Sequence, residues 1–555
     1  MISLAEYTAE VGYGHRKRLA QFFTPPAIAR FMVGWVLGGA RSDRIHDPAF
    51  GLGAFLDCAP ADCAFTGMEI DDRVVDFFIR HSRRRPESLA CGDYLLDFGR
   101  RHANIVCNPP YLRFQKFLNR DAVFAAFRER LGIRLSGYTN IASAFLVKSV
   151  SELENGGRLA YILPSEFLNS GYGELVKDWL TKDGHLDSII EVECENEAFG
   201  EVTTSVCIVL YDSARRIDEV AFRKISSLAE IDGVMDIPPL RSVPLSCLDV
   251  SGKWGVYFVA AGDRVQPAMR HLCPLSEYGR FSRGIATGAN GFFVLSRSGM
   301  RRNGLSAQSC VPCITRSQQL AGLTFTDEDF AALAEADKGV FLFSPGEDPD
   351  EPSRRYIRQG EEKGYNKGFI TRHRSPWYKT EERAVAPILL NVFSRSGYKV
   401  VRNYSSALSL TNFHCFYPHR LRDAYVDWLF LYLHSGVGRK LLSLSKRRYG
   451  NALDKFEPND LNDALVPTRA FFDSLGQDVL TELMDAVISG KDPSLRLDEA
   501  FAPLVADADA GDVVPAPVKY PFRRREPEQM RLAIEKRKGY DCRKAGTAKK
   551  VRRGE

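Results

Sequence analysis

Arg44-Ile45-His46-Asp47-Pro48-Ala49-Phe50-Gly51-Leu52-Gly53-Ala54-Phe55-Leu56 reads as a short strand that ends on an acid, turns through two glycines and resumes as an apolar run. Two glycines one residue apart let the backbone turn tightly and come close to a ligand. No third glycine stands at dinucleotide spacing and no Lys-Ser/Thr pair follows, so a Walker loop is excluded and a dinucleotide fingerprint is weak. Asp47, at the strand end, could accept a hydrogen bond from a cationic amine. Taken alone, the segment reads equally well as a plain turn between a strand and a helix.

The alternation continues on both sides. Residues 28–37 have helical periodicity, 64–70 form an apolar run ending in an acid, and 74–83 are helical again. Residues 105–107 form a strand that stops at a Pro-Pro turn, 141–152 are helical, 158–163 strand-like and 173–180 helical, and 189–192 and 205–211 are β-rich. Strands alternating with helices predict βαβ units and a doubly wound α/β sheet, with ligands at the C-terminal ends of the strands. The composition, 45% hydrophobic and 26% charged over 555 residues, suits a globular chain of about three domains. The longest uncharged apolar run, residues 31–40, falls short of the ~20 residues that span a bilayer, and no signal peptide is read at the start. The expectation is a cytoplasmic protein with no membrane partner. The twelve cysteines are scattered, and the single CxxC, Cys310 and Cys313, lacks two further ligands at finger spacing, so no metal site is expected.

Three more segments carry chemistry. In Gly67-Met68-Glu69-Ile70-Asp71, an acid about twenty residues past the glycine turn suits a ribose diol. In Cys91-Gly92-Asp93-Tyr94, a carboxylate beside an aromatic ring could accept from an adenine amino group while the ring packs on the base. Asn108-Pro109-Pro110-Tyr111 follows the strand Ile105-Val106-Cys107 directly. Its prolines fix φ and stiffen the turn, aiming the Asn108 side-chain carbonyl and the Pro109 backbone carbonyl at one point. An exocyclic amine conjugated to a ring is a poor nucleophile. Two acceptors gripping its hydrogens push the nitrogen toward sp³, and Tyr111 offers a face to a planar substrate.

With these residues in order, the chain resembles the gamma-class N6-adenine DNA methyltransferases of restriction-modification systems, the TaqI-like and Eco57I-like group. The resemblance also takes in Gln21-Phe22-Phe23-Thr24-Pro25-Pro26 ahead of the glycine loop, residues 156–168, and Phe199-Gly200-Glu201-Val202-Thr203-Thr204, and spans roughly residues 18–212. It implies a Rossmann-like S-adenosylmethionine-dependent methyltransferase domain (1–225), then a mixed α/β DNA target-recognition domain (226–475) and a C-terminal extension (476–555). It further implies S-adenosyl-L-methionine as cofactor, with Thr24 and Pro25 at its methionine end, Asp47 on the methionine amine, Gly51 and Gly53 giving close approach, Glu69 on the ribose, and Asp93 with Tyr94 on the adenine. Asn108, Pro109, Pro110 and Tyr111 would form the catalytic corner, and Phe199 a second aromatic against an extruded base. Phe50 and Leu52 depart from the smaller residues usual in the loop, which makes it more apolar and leaves its turn possible.

A target inside duplex DNA must be flipped out, at a cost of a few kcal/mol. Net charge is only +5, and residues 519–555 hold 14 Lys/Arg against 5 Asp/Glu, so the rest sums to about −4. Any DNA-binding surface in the body must therefore be local. Candidates are Arg372, Arg374 and Lys379, then Arg439, Lys440, Lys446, Arg447 and Arg448, interleaved with Trp377, Tyr378 and Tyr449. Residues 504–518 read as a linker to a basic tail. Competing readings are an N-methyltransferase acting on RNA or a protein glutamine, and an inactive DNA-specificity protein on the same fold. A monomer is expected, with any cognate restriction endonuclease on a separate chain.

Overall fold

The computed structural model describes residues 2–506, apart from 3, 40–41, 118, 195–204, 260–265, 395–396, 420–422, 444–446 and 450–452. Its organising feature is a nine-stranded sheet: β1 (Ile45–Asp47), β2 (Phe65–Glu69), β3 (Ser88–Cys91), β4 (His102–Cys107), β5 (Leu153–Pro164), β6 (Leu186–Val192), β7 (Val206–Asp212), β8 (Glu219–Ile225) and β9 (Arg241–Pro244). The spatial order is β3-β2-β1-β4-β5-β7-β6-β8-β9. The first five strands are parallel, and β7 runs antiparallel between β5 and β6. The chain winds outward from β1 through β2 to β3, then crosses back to place β4 on the other flank of β1. That reversal opens a crevice at the C-terminal ends of β1 and β4.

Side-chain alternation explains why the sheet is covered on both faces. Ile105, Cys107, Leu159, Tyr161 and Leu163 point into one core. Val106, Ala160 and Ile162, their alternating neighbours, point into the other. Strands apolar on both sides need helices above and below. Helices α1 (Leu4–Val11) and α2 (Tyr13–Leu19) precede α3 (Pro26–Leu37), which closes the second core through Ile28, Met32 and Val36. The short α4 (Ala54–Cys58) follows the glycine loop and α5 (Asp72–His81) follows β2. The first core is closed by α7 (Ile141–Glu152), preceded by α6 (Arg120–Leu131). Helices α8 (Glu166–Asn169) and α9 (Gly173–Thr181) complete the wrapping.

The sheet runs past residue 225, since β9 pairs with β8. The chain then builds a five-stranded sheet centred on Phe413–Pro418 and Ile388–Asn391 and a four-stranded sheet holding Cys310–Ile314. A helical cluster comes next. In it Trp428 stacks on Phe472 at 5.7 Å, and Phe501, beyond residue 476, packs against both. Lys253, its side chain 9% exposed, pairs with buried Asp460 at 3.1 Å, and Leu272–Pro274 pairs with Leu465–Pro467. Among the described residues no helix is long and apolar enough to cross a membrane. Most of the stretch read as a linker, and the whole basic tail, lie outside them.

Candidate active site

Asp47 ends β1 with 1% of its surface exposed, and its Oδ1 accepts from the Ala49 amide at 3.1 Å. The chain then turns through Gly51 (φ +55°) and Gly53 (φ +80°), both in the left-handed region. A Cβ on Gly53 would lie 2.8 Å from Phe78 and 3.2 Å from Phe50, and one on Gly67 would lie 2.4 Å from Phe50. The Phe50 ring thus fills the space that glycines leave under the loop, edge-on to Phe78. Leu52 packs with Tyr7, Val74 and Phe77. These two departures anchor the loop in the cores beneath it.

Glu69, at the end of β2, faces this loop. Its carboxylate accepts from the amides of Gly51 (2.9 Å), Ile70 (2.9 Å) and Asp71 (3.0 Å). The acid therefore holds the loop's curvature from the neighbouring strand. Burial pushes the Asp47 carboxyl well above the usual carboxylate range and raises Glu69 as well, and each charge disfavours ionisation of its acidic neighbours.

The segment ahead of α3 is strapped across the loop. Gln21 donates to Asp71 Oδ2 at 2.6 Å and accepts from the Tyr7 hydroxyl at 3.0 Å, and His15 bonds the same Asp71 oxygen at 2.7 Å. Phe23 lies over the loop, 3.4 Å from where a Cβ on Gly51 would be. The Asn108 side-chain NH2 donates to Phe22 O (3.0 Å) and Thr24 Oγ1 (3.1 Å). Its donors fully used, Asn108 can only accept elsewhere, through Oδ1. In this state that oxygen takes the Tyr111 hydroxyl at 2.9 Å, and the Tyr111 ring lies 5.9 Å from that of Phe22.

On the far side, Asp93 accepts from Leu95 N (3.1 Å) and from Asn119 Nδ2 (3.3 Å). Tyr94 is rooted in the core. Its hydroxyl bonds Ser149 (2.8 Å) and Glu152 (3.2 Å), and the Lys148 ammonium sits 3.6 Å from its ring centre. Only a small part of the ring is left facing the cavity.

Between these walls lies a cavity of about 520 Å³. Thr24, Asp47, Gly51, Glu69, Asp93, Tyr94, Asn108 and Pro110 line it. Pro25, Gly53, Pro109 and Tyr111 do not. Pro25 caps α3, Gly53 caps α4, and Tyr111 packs beside Phe22. Sequence reading missed Phe117, Asn119, Ile141 and Phe145 in the walls, and Gln21 with Asp71 as the strap. Three carboxylates above an apolar floor suit a ligand with a cationic end, a diol and a planar amine-bearing ring.

The expected DNA contacts are scattered. Arg374 donates to the carbonyls of Thr287 (3.0 Å) and Ala286, so its guanidinium braces a loop. Lys379 faces Glu347 (3.6 Å) and Glu382 (3.9 Å), and Trp377 donates to Glu361 while packing on Phe292. Arg372 is exposed. Arg447 and Arg448 lie on the strand Arg447–Tyr449, which runs beside α8, next to the C-terminal end of β5. Phe199 and Lys446 lie outside the described residues.

Comparison with known proteins covers most of the chain. Residues 101–199 match the Eco57I restriction-modification methylase family, and residues 263–494 match the C-terminal domain of type II methyltransferase M.Eco57I. Type II methyltransferase M.AccI of Acinetobacter calcoaceticus is 34% identical over 86% of this chain and 91% of its own length. M.XamI of Xanthomonas campestris pv. amaranthicola is 23% identical over 82% and 86%. The type IIL restriction-modification enzyme MmeI, solved in complex with DNA, superposes with a TM-score of 0.55 at 12% identity, over 90% of this chain and 73% of that one.

Proposed function

The chain belongs to the Eco57I-like type II methyltransferases of restriction-modification systems, with a Rossmann-like catalytic sheet and S-adenosylmethionine as cofactor, and from that premise we propose that it methylates N6 of an adenine flipped out of duplex DNA. The observation that carries this reading is the state of Asn108. Both of its amide hydrogens are taken by Phe22 and Thr24, so the side chain presents an acceptor, never a donor, at the rim of the cavity. An exocyclic amino group offers the two hydrogens such a corner wants, whereas a ring nitrogen or carbonyl offers none; the choice of adenine over another exocyclic amine rests on the family resemblance.

The cavity fits the cofactor on chemical grounds. A buried carboxylate left without a cation is held against ionisation, and a ligand ammonium would relieve that cost. Asp47 would take the methionine amine, Glu69 the ribose hydroxyls and Asp93 the adenine amino group, with Asn119 exchanging its bond to Asp93. When bound, S-adenosylmethionine supplies an activated methyl group at its sulfonium. Asn108 Oδ1 and the Pro109 carbonyl would grip the amine of the target base and free its lone pair. Their hydrogen bonds strengthen as the nitrogen becomes cationic, which is where positioning turns into rate. The Tyr111 hydroxyl must leave Asn108 for this to happen, and its ring is then free to stack on the base. No strong base is required, because the ammonium product can lose its proton to water. Modification of cytoplasmic DNA as the protective partner of a restriction enzyme follows from the same reading.

The test is transfer of tritiated methyl groups to unmethylated genomic DNA, followed by nucleoside analysis. N6-methyladenine with wild type, and loss of transfer with retained cofactor binding in Asn108→Ala, is the expected result. Label in RNA or in protein glutamine instead of DNA would overturn it.

A further inference from the structure

Residues 365–374 carry an aromatic ring that the catalytic reading leaves without a role. Phe369 is 75% exposed. It stands on a turn built to be stiff, between two single-turn helices, Tyr365–Lys367 and Thr371–His373. Thr371 is fully buried, and its hydroxyl reaches the carbonyls of Tyr365 (2.6 Å) and Gly368 (3.2 Å). Arg374 ties the end of the turn to the carbonyls of Ala286 and Thr287, and Tyr365 packs on Phe292 at 5.6 Å. Ile370 closes on Gly288, where a Cβ would lie 2.7 Å away. A loose loop would let Phe369 fold onto this apolar cluster. The anchored turn holds it out in water instead.

The surroundings indicate what the ring is held out for. Residues 363–380 contain Lys363, Lys367, Arg372, Arg374 and Lys379 and no Asp or Glu. Neither Lys367 nor Arg372 has an ion-pair partner among the described residues. The Arg372 guanidinium lies 5.3 Å from the centre of the Phe369 ring and the His373 ring 5.2 Å away edge-on, and the ring still keeps three quarters of its surface in water. A protein-docking patch would surround an exposed ring with more apolar surface. Here, among its neighbours in the turn, only Ile370, 39% exposed, adds to it, and the exposed Lys367 and Arg372 share that turn. An apolar side chain projecting between cations has the chemistry of a wedge at a base step, with its flanks on phosphates.

We propose that Phe369 is a base-contacting wedge: its ring enters the stack of the bound duplex while Lys367 and Arg372 neutralise the phosphates on either side. The inference rests on duplex DNA being the substrate, and its test separates the two. Methyl transfer to unmethylated genomic DNA is measured as kcat/KM for wild type, Phe369→Ala, Phe369→Leu and Lys367→Ala, with binding to the same DNA followed across a salt series. The exposure of Phe369 means that Phe369→Ala leaves the fold intact, which its melting temperature checks. Phe369→Ala is expected to lower kcat/KM by between about 5- and about 150-fold, the range for losing one base–aromatic stack. Its salt slope stays that of wild type, and Phe369→Leu recovers most of the loss. Lys367→Ala lowers the slope of log K against log salt by about 1. Wild-type rates in Phe369→Ala would overturn the wedge and leave the DNA reading standing, and so would wild-type rates combined with loss of a protein partner. No transfer to DNA by the wild type would overturn both.

Discussion

At the scale of single residues, the site turns on a few buried charges and hydrogen-bonding groups. Asp47 is buried with one backbone amide for company, and its folded carboxyl titrates well above the unfolded value. The folded state therefore binds the proton more tightly than the unfolded chain. Stability falls as pH rises from the unfolded value through the folded one. Asp47→Asn is accordingly expected to raise the melting temperature of the cofactor-free protein by a few degrees at neutral pH. It should also weaken S-adenosylmethionine binding by about 100-fold, the loss of a hydrogen bond to a charged group. Calorimetry measures both, and a variant that melts lower and binds normally would contradict the assignment. In the wild type, affinity for the cationic ligand should decline on acidification at a higher pH than an ordinary aspartate would give. Tyr111 makes a second case. Its hydroxyl occupies the Asn108 oxygen that the target amine needs. Tyr111→Phe removes the competitor and keeps the ring, so kcat/KM should stay within about threefold of wild type, while Tyr111→Ala forfeits a stack and should lose about tenfold or more. That Asp47, Glu69, Asp93 and Asn108 would face one cavity was legible in the sequence because each stands at or just past a strand end inside its own short motif. Gln21 with Asp71, and Asn119 with Asp93, were not, since 50 and 26 residues separate each pair and only the fold brings them together.

At the scale of elements, helix α7 shows how a buried segment can be read and still conceal its polar content. Its limits, 141–152, are those expected from sequence, although nearly every residue in it is buried. Helix α6 gave no comparable signal. Only Val123 and Phe127 are buried in it, one turn apart, and its other apolar residues, Phe124 and Leu131 among them, are spread round the helix among Arg and Glu instead of marking one face. The edge strand β3 is partly exposed and too short to alternate clearly. What α7 concealed is Lys148, fully buried, paired with Glu152 four residues on and set against the Tyr94 ring. Burial lowers the Lys148 pKa while Glu152 pulls it back up. Removing one member of such a pair leaves the other charge buried and uncompensated. Lys148→Met should therefore cost about 3–5 kcal/mol in chemical denaturation. Because Glu152 also receives the Tyr94 hydroxyl, the variant should weaken cofactor binding through the wall that Tyr94 supports. Unchanged stability would mean that Glu152 takes up a proton at no cost.

At the scale of the whole molecule, the alternation of strands and helices told where the catalytic sheet begins but not where it ends. The change of texture near residue 225 falls between β8 and β9, two strands of one sheet, because an antiparallel edge strand lacks the helix that marks a parallel crossover. Residues 477–501 read as an extension, yet Leu480, Leu483, Leu497 and Phe501 are buried. Such packing against helices many residues earlier leaves no local trace. The tie between the sheet region and the C-terminal half of the chain was equally invisible. Lys253 and Asp460, 207 residues apart, form an ion pair with side chains 9% and 6% exposed. Asp460→Ala removes the acid that Lys253 bonds and leaves Asp463 as a further acid near it, and the expected loss is about 1.5–3 kcal/mol in denaturant unfolding, that of a hydrogen bond between charged groups. The double variant Lys253→Met with Asp460→Leu removes both desolvation penalties and should recover most of that loss, since a packed apolar pair often matches or exceeds a buried ion pair. A single variant within about 1 kcal/mol of wild type would mean that water reaches the pair and screens it. A double variant no better than the single one would mean that Asp460 matters through the helix it caps, where it bonds the Glu457 amide at 3.3 Å, more than through Lys253.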